Sequence, residues 1–170
     1  MNLSDYIRDI EGFPKPGILF KDITPLLKSP EALDETLKQM ENALKGVDFD
    51  YVIGVEARGF MFATALAARM GKGMIPVRKP GKLPASTYRK DYDLEYGSAG
   101  LEIHKDAFEK GDRLIIVDDI LATGGTVEAV VDMVKEMGGE VKKVLFLAEL
   151  EFLNGREKLA GESVDALVKY

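Results

Sequence analysis

Arg113-Leu-Ile-Ile-Val-Asp-Asp-Ile-Leu-Ala-Thr-Gly-Gly-Thr126 is the stretch on which the reading of this chain turns. Leu114 to Val117 is an apolar, largely β-branched run and reads as a buried strand. It ends in Asp118 and Asp119, and a short loop follows, Ala122 to Thr126, with two glycines and two threonines. Val127, Val130, Val131, Val134 and Met137 then recur at helical spacing, which predicts a helix over 126–137 that stops at Gly138-Gly139. Strand, acidic pair, Gly/Thr loop and helix N-terminus together describe a seat for a phosphorylated sugar. Glycines let the backbone approach a phosphate, helix N–H groups and the helix dipole favour the anion, and threonine hydroxyls add donors. The acids behind the loop can accept hydrogen bonds from sugar hydroxyls or face a metal ion. No lysine follows the glycines as in a Walker A loop, and there is no G-x-G-x-x-G turn.

The same rhythm runs outward in both directions. Ser29-Pro30-Glu31 is a helix start: a cap, a proline at the first helical position and an acid near the positive dipole end. Leu33, Leu37, Met40 and Leu44 give the helix over 31–45 one buried face. Tyr51 to Val55 reads as a strand, Gly59 to Met70 as a helix, and Met74 to Val77, Val144 to Leu150 and Val164 to Val168 as further strands. Short apolar strands alternating with helices predict an α/β fold, a mostly parallel central sheet flanked by helices. Phe13 to Pro25, with three prolines and a glycine, reads as an ordered loop or short extended arm. Lys79 to His104 is polar, with no sustained helical period, and reads as a long irregular segment of the functional kind. His104 itself sits in an alternating stretch and reads as a strand or surface residue.

With 170 residues the chain fits one domain with a real core. A net charge of −6 argues against a nucleic-acid surface. Zero cysteines exclude disulfides and thiolate zinc sites, and one histidine leaves little for an imidazole cage. The N-terminus lacks the basic and apolar regions of a signal peptide, and the apolar run 59–68 is too short to span a bilayer. The expectation is a cytoplasmic protein with no nucleic-acid and no membrane partner.

Other segments carry chemistry besides their bland readings. Glu56-Ala57-Arg58-Gly59 follows a strand end, where α/β proteins place ligands. Arg58 can bind a diphosphate bidentately, although alone the motif would pass for a surface ion pair. Arg78-Lys79-Pro-Gly-Lys82-Leu-Pro84 gathers three cations after another strand end, in a chain that is otherwise acidic. Leu94-Glu95-Tyr96-Gly97 would be ignored by itself, and Gly17-Ile-Leu19-Phe20-Lys21-Asp22 would pass for a packing arm.

Taken together these segments resemble the type I phosphoribosyltransferases. Segment 113–126 is similar to their signature for 5-phosphoribosyl 1-pyrophosphate (PRPP), and the likeness runs from about Phe13 to Leu159. The segments at 13–22, 78–84 and 94–97 resemble the branch of the family that uses adenine. The resemblance implies a mobile loop, a hood built from about residues 1–30, one domain over 1–170, PRPP and adenine as substrates, Mg2+ held mainly by PRPP oxygens, and a homodimer. It implies that Ala122, Thr123, Gly124, Gly125 and Thr126 cradle the 5′-phosphate and that Asp118 and Asp119 hold the ribose. Glu56, Ala57, Arg58, Gly59, Arg78, Lys79 and Lys82 would serve the pyrophosphate, with Tyr96 and Arg89 in loop closure. Glu95 would exchange the proton of adenine, and Arg58 would stabilise the leaving group. Phe20 would stack the base while the main chain of Leu19 and Lys21 reads its edge, a backbone role that tolerates lysine where many relatives carry arginine. A transferase for another base, or a PRPP-sensing regulator on the same fold, are the alternatives.

Overall fold

The computed structural model describes residues 1–94 and 97–170. In chain order its elements are β1 (Arg8–Glu11), β2 (Leu19–Asp22), α1 (Thr24–Lys28), α2 (Pro30–Ala43), β3 (Tyr51–Val55), α3 (Gly59–Arg69), β4 (Gly73–Val77), β5 (Thr87–Asp93), β6 (Ser98–His104), β7 (Arg113–Leu121), α4 (Gly125–Glu136), β8 (Glu140–Glu149) and β9 (Val164–Lys169), with short 3-10 turns between some of them. The central sheet has the order β4-β3-β7-β8-β9, and every pairing in it is parallel. The mostly parallel α/β architecture expected from the alternating pattern is the one observed. Helix α2 begins as its sequence dictates, with Ser29 Oγ accepting the Ala32 N–H at 3.2 Å.

Alternation along the strands builds the two halves of the core. Ile115 and Val117 join Val52, Leu145 and Leu147 on the face that carries α2 and α3. Leu114 and Ile116 join Ile53, Val144 and Phe146 on the opposite face, against α4. All of these side chains are fully buried, each worth about 1.5–3 kcal/mol of transfer free energy. The continuous apolar run in β7 is therefore explained by burial on both faces.

Strand order also places the site. From β3 the chain steps outward to β4, then returns across to β7 and steps the other way to β8 and β9. The reversal lies between β3 and β7, where open α/β sheets hold ligands at the carboxyl ends of their strands. Strands β3 and β7 pair from Tyr51↔Leu114 only as far as Gly54↔Val117. Strand β7 continues beside β8 to Leu121↔Glu149. Asp118 and Asp119 thus run past one neighbour while still held by the other.

Two segments differ from the sequence reading. Lys79 to His104 is not irregular throughout: β5 and β6 form an antiparallel hairpin. Its inward side is Tyr88, Lys90 and Tyr92, alternating with exposed Arg89, Asp91 and Asp93. The period of two was hidden because tyrosine and lysine stand where aliphatic residues usually do. Tyr88 Oη and Lys90 Nζ both reach Glu136 on α4, the latter at 2.5 Å. His104 ends β6 and accepts the Ala85 N–H at Nε2, 3.3 Å away, in keeping with a strand role. The second difference is in the N-terminal arm, where β1 and β2 form a separate two-stranded antiparallel sheet followed by α1. Four-residue strands as polar as Arg-Asp-Ile-Glu leave too little pattern to read. Among the described residues no helix is long and apolar enough to cross a membrane.

Candidate active site

A cleft of about 290 Å³ opens at the β3–β7 reversal. Glu56, Ala57 and Arg58 line one side, Asp118 and Asp119 the back, and Ala122 to Thr126 the other side. The sequence motifs separated by some sixty positions are therefore brought together. Gly59 explains how they come so close: a Cβ there would lie 2.8 Å from Asp118 Oδ1 and 2.9 Å from the Val117 carbonyl oxygen. Only a residue without a side chain lets the start of α3 pack on the end of β7. The Glu56–Ala57 peptide bond is cis.

The phosphate-type loop is shaped by a second glycine contact. Gly124 has φ +86°, in the left-handed region, and caps the N-terminus of α4. A Cβ at Gly124 would sit 2.5 Å from the Gly155 carbonyl oxygen, and one at Gly155 would sit 2.3 Å from the Ala122 carbonyl oxygen. The loop and the turn Gly155–Leu159 therefore rest backbone on backbone. Sequence reasoning passed over Gly155, whose only signal is that it is a glycine among polar residues. It also passed over Tyr92, whose hydroxyl lies 3.2 Å from Thr126 Oγ1.

The acids behind the loop are not equivalent. Asp118 Oδ1 accepts the Asp119 N–H at 2.9 Å. Burial, and after it the adjacent charge of Asp119, hold the Asp118 carboxyl well above the usual carboxylate range. Asp119 is buried and faces Arg58, whose Nε is 2.8 Å from Oδ2. That contact is not aligned as a hydrogen bond, and Asp119 Oδ2 has no hydrogen-bond partner among the described residues. It is a buried acceptor lying beside the cleft. No group of three or more His, Cys, Asp or Glu side chains converges on one point among the described residues.

Glu56, at the edge of the cleft, gathers the basic segment. Its carboxylate accepts from Lys82 Nζ, from the Lys79 N–H at 2.8 Å and from Arg78 Nε at 3.3 Å. Arg78, Lys79 and Lys82 thus flank the cleft through Glu56 rather than lining it. Burial alone would raise the Glu56 carboxyl, but these three donors outweigh it and bring it down to about 2. The folded state favours the charged form, so this stabilisation is complete above the ordinary value of 4.5 and is lost as pH falls through about 2. In Glu56→Gln we expect a shallower loss of stability between those pH values than in the wild type, measured by denaturant unfolding across a pH series. An unchanged acid slope would show that Glu56 is not held in this way.

A smaller pocket of about 180 Å³ adjoins the cleft, lined by Leu19, Phe20, Lys21, Arg58, Ile120, Ala122 and Leu150. Phe20 is braced by Phe13, edge to face at 5.0 Å, and by the Arg58 guanidinium 4.9 Å from its ring centre. The Lys21 side chain turns the other way, to Asp9 at 2.6 Å and over the Tyr170 ring. Its main chain is another matter. The Gly12 N–H donates to the Ile18 carbonyl oxygen at 2.8 Å, and the β1–β2 register continues that pairing. Hydrogen-bonded pairs alternate in an antiparallel ladder, so Ile10 and Phe20 bond each other. The N–H and C=O groups of Leu19 and Lys21 therefore face away from β1, along an edge with no further strand among the described residues. Ile120 and Leu150 are pocket residues that sequence reasoning missed, being ordinary strand-end aliphatics. Arg89 is paired with Asp91 at 2.9 Å and lines neither pocket. Glu95 and Tyr96 lie outside the described residues.

The match to the family model "Phosphoribosyl transferase domain" spans residues 22–160 and takes in the cleft and the loop. The adenine phosphoribosyltransferase of Kosmotoga olearia is 49% identical over 170 residues, 100% of both chains. The chain belongs to the adenine phosphoribosyltransferase family. Solved members of that family have the same fold. The Thermoanaerobacter pseudethanolicus structure superposes with a TM-score of 0.96 at 50% identity, covering 99% of this chain and 100% of that one. The Saccharomyces cerevisiae enzyme, complexed with an imino-altritol bisphosphate and adenine, superposes at 0.89 with 40% identity, covering 97% and 96%. The cleft and the pocket beside Phe20 share Arg58, Ile120 and Ala122.

Proposed function

We propose that this protein transfers the 5-phosphoribosyl group of PRPP to adenine, giving AMP and pyrophosphate. The observation that carries the reading is the junction of the two pockets: the cleft lined by Asp118, Asp119 and Ala122 to Thr126 shares Arg58, Ile120 and Ala122 with a pocket that holds Phe20 and the outward main chain of Leu19 and Lys21. In this reading the 5′-phosphate rests on Ala122 to Thr126, taking N–H groups at the start of α4 and the threonine hydroxyls. The ribose hydroxyls donate to Asp118 and Asp119, with Asp119 Oδ2, which has no hydrogen-bond partner among the described residues, as one acceptor. The diphosphate lies toward Glu56 to Gly59, with Arg58, Arg78, Lys79 and Lys82 answering its charge.

A ring nitrogen of adenine attacks the anomeric carbon as the bond from that carbon to the diphosphate oxygen breaks, its electron pair leaving with pyrophosphate. Positive charge grows on the ribose, and negative charge on the leaving group is met by the cations and by backbone N–H groups. The ring proton of adenine passes to Glu95, by resemblance, and Tyr96 and Arg89 serve closure of the hairpin. Phe20 stacks the base. The outward N–H and C=O of Leu19 and Lys21 meet its donor–acceptor edge, which hypoxanthine presents reversed. Mg2+ would arrive with PRPP, bound by its oxygens, and the hard carboxylate oxygens of Asp118 and Asp119 suit its outer partners; when bound it neutralises the diphosphate. We place the whole chain in one domain, with residues 1–30 as the hood over the base, and propose a homodimer in the cytoplasm.

The test is initial-rate release of pyrophosphate by purified protein with PRPP and Mg2+, across adenine, hypoxanthine, guanine, xanthine and orotate. Turnover confined to adenine is expected. Turnover with another base would sink the reading of the Phe20 pocket, and no turnover with any base would sink the assignment.

A further inference from the structure

We infer that Lys158 is a binding residue for the sugar 5′-phosphate, supplying the positive charge that the loop Ala122–Thr126 lacks. The inference rests on the sugar-phosphate reading of the cleft proposed above. The loop offers neutral donors only, namely peptide N–H groups and threonine hydroxyls, whereas a phosphate monoester carries about −1.5 to −2 charges near neutral pH. Of the cations on the diphosphate side, Arg58 is engaged with Asp119, and Arg78 and Lys82 with Glu56, while Lys79 gives Glu56 its backbone N–H.

Lys158 stands apart from them. It is exposed, has no ion-pair partner among the described residues, and its Nζ lies 3.4 Å from where a Cβ of Gly125 would be. With Tyr92 it walls a cavity of about 410 Å³ whose floor is Thr123, Gly125 and Thr126. Asp93 lines the same cavity without an ion pair to it.

The backbone beneath Lys158 is fixed, so its position is built rather than incidental. Gly155 seats on Ala122 without a side chain between them. Arg156 holds the buried Glu149 carboxylate at 2.7 and 2.9 Å and donates to the Val164 carbonyl oxygen at 2.8 Å. Leu159 is buried in the core. Gly155, Arg156 and Leu159 tie this turn to the fold, and Lys158 projects from it toward the loop.

Isothermal titration of wild type, Lys158→Gln and Lys158→Arg with AMP and with inorganic pyrophosphate tests this. AMP affinity should fall about tenfold in Lys158→Gln and stay within about threefold of wild type in Lys158→Arg, with pyrophosphate affinity unchanged. The AMP difference should shrink as salt is raised, because the site is open to solvent. Equal AMP binding by wild type and Lys158→Gln would overturn the inference, as would an equal loss for both ligands, which would mark a general disturbance. A wild type that binds neither ligand would instead overturn the reading of the cleft, and the inference with it.

Discussion

Asp119→Asn is expected to lower kcat/KM for PRPP about a thousandfold while leaving the fold intact, roughly 4 kcal/mol of lost transition-state stabilisation. The amide has nearly the volume of the carboxylate, so packing around this buried side chain is kept. What goes is the charge that faces Arg58 at 2.8 Å, and one of the two acceptor oxygens. Positive charge developing on the ribose then loses its nearest buried anion, and Arg58 is left beside an amide dipole. Asp118→Asn should be milder. Its Oδ1 is already taken by the Asp119 N–H, and its carboxyl is biased toward the protonated form by burial and by its neighbour. Initial rates for both variants, with thermal melts as the control for folding, decide the matter. Equal effects of the two substitutions would remove the distinction drawn between these acids, and a change of less than about threefold in Asp119→Asn would remove its role.

Gly155→Ala should cost about a hundredfold in kcat/KM for PRPP, although the residue touches no substrate. The added Cβ would sit 2.3 Å from the Ala122 carbonyl oxygen and 2.9 Å from Leu121 Cδ1. Ordinary contact begins near 3.4 Å, so about 1.1 Å of displacement is required. The closest atom is backbone, so no rotamer change relieves the clash. The turn or the phosphate loop has to move, and misplacement of about 1 Å in a positioning element costs on the order of a hundredfold. Overpacking should also lower stability by about 1–3 kcal/mol. The kinetic signature is a rise in KM for PRPP with KM for adenine little changed. Wild-type kinetics in Gly155→Ala would show that the backbone contact does not set the loop.

The parts of this protein that were legible in the sequence are those whose physics is local. Strand β7, its acids, the glycine turn and α4 follow one another without interruption, so apolar run, charge and turn chemistry read as a single object. Glu56 to Gly59 was legible for the same reason, sitting at a strand end before a helix. The parts that were not legible depend on partners distant in the chain. Gly155 matters because Ala122 lies against it, Lys158 because Gly125 does, and Tyr92 because its hydroxyl reaches Thr126. The hairpin β5–β6 was hidden because it packs polar and aromatic side chains on α4, not aliphatic ones. Arg78, Lys79 and Lys82 stand close together in the sequence. That Glu56 is what organises them required the fold.

If the outward edge of β2 reads the base as proposed, the ladder between β1 and β2 has a bearing on how base preference is inherited. Peptide groups are the same whatever side chain they carry, so substitutions at Leu19 or Lys21 leave the pattern of donors and acceptors along that edge unaltered. A slip of one residue between the strands would present the other set of groups instead. Drift by point mutation is thereby buffered, and a lineage would reach a different base more readily through an insertion or deletion in residues 12–18 than through any exchange in the pocket wall.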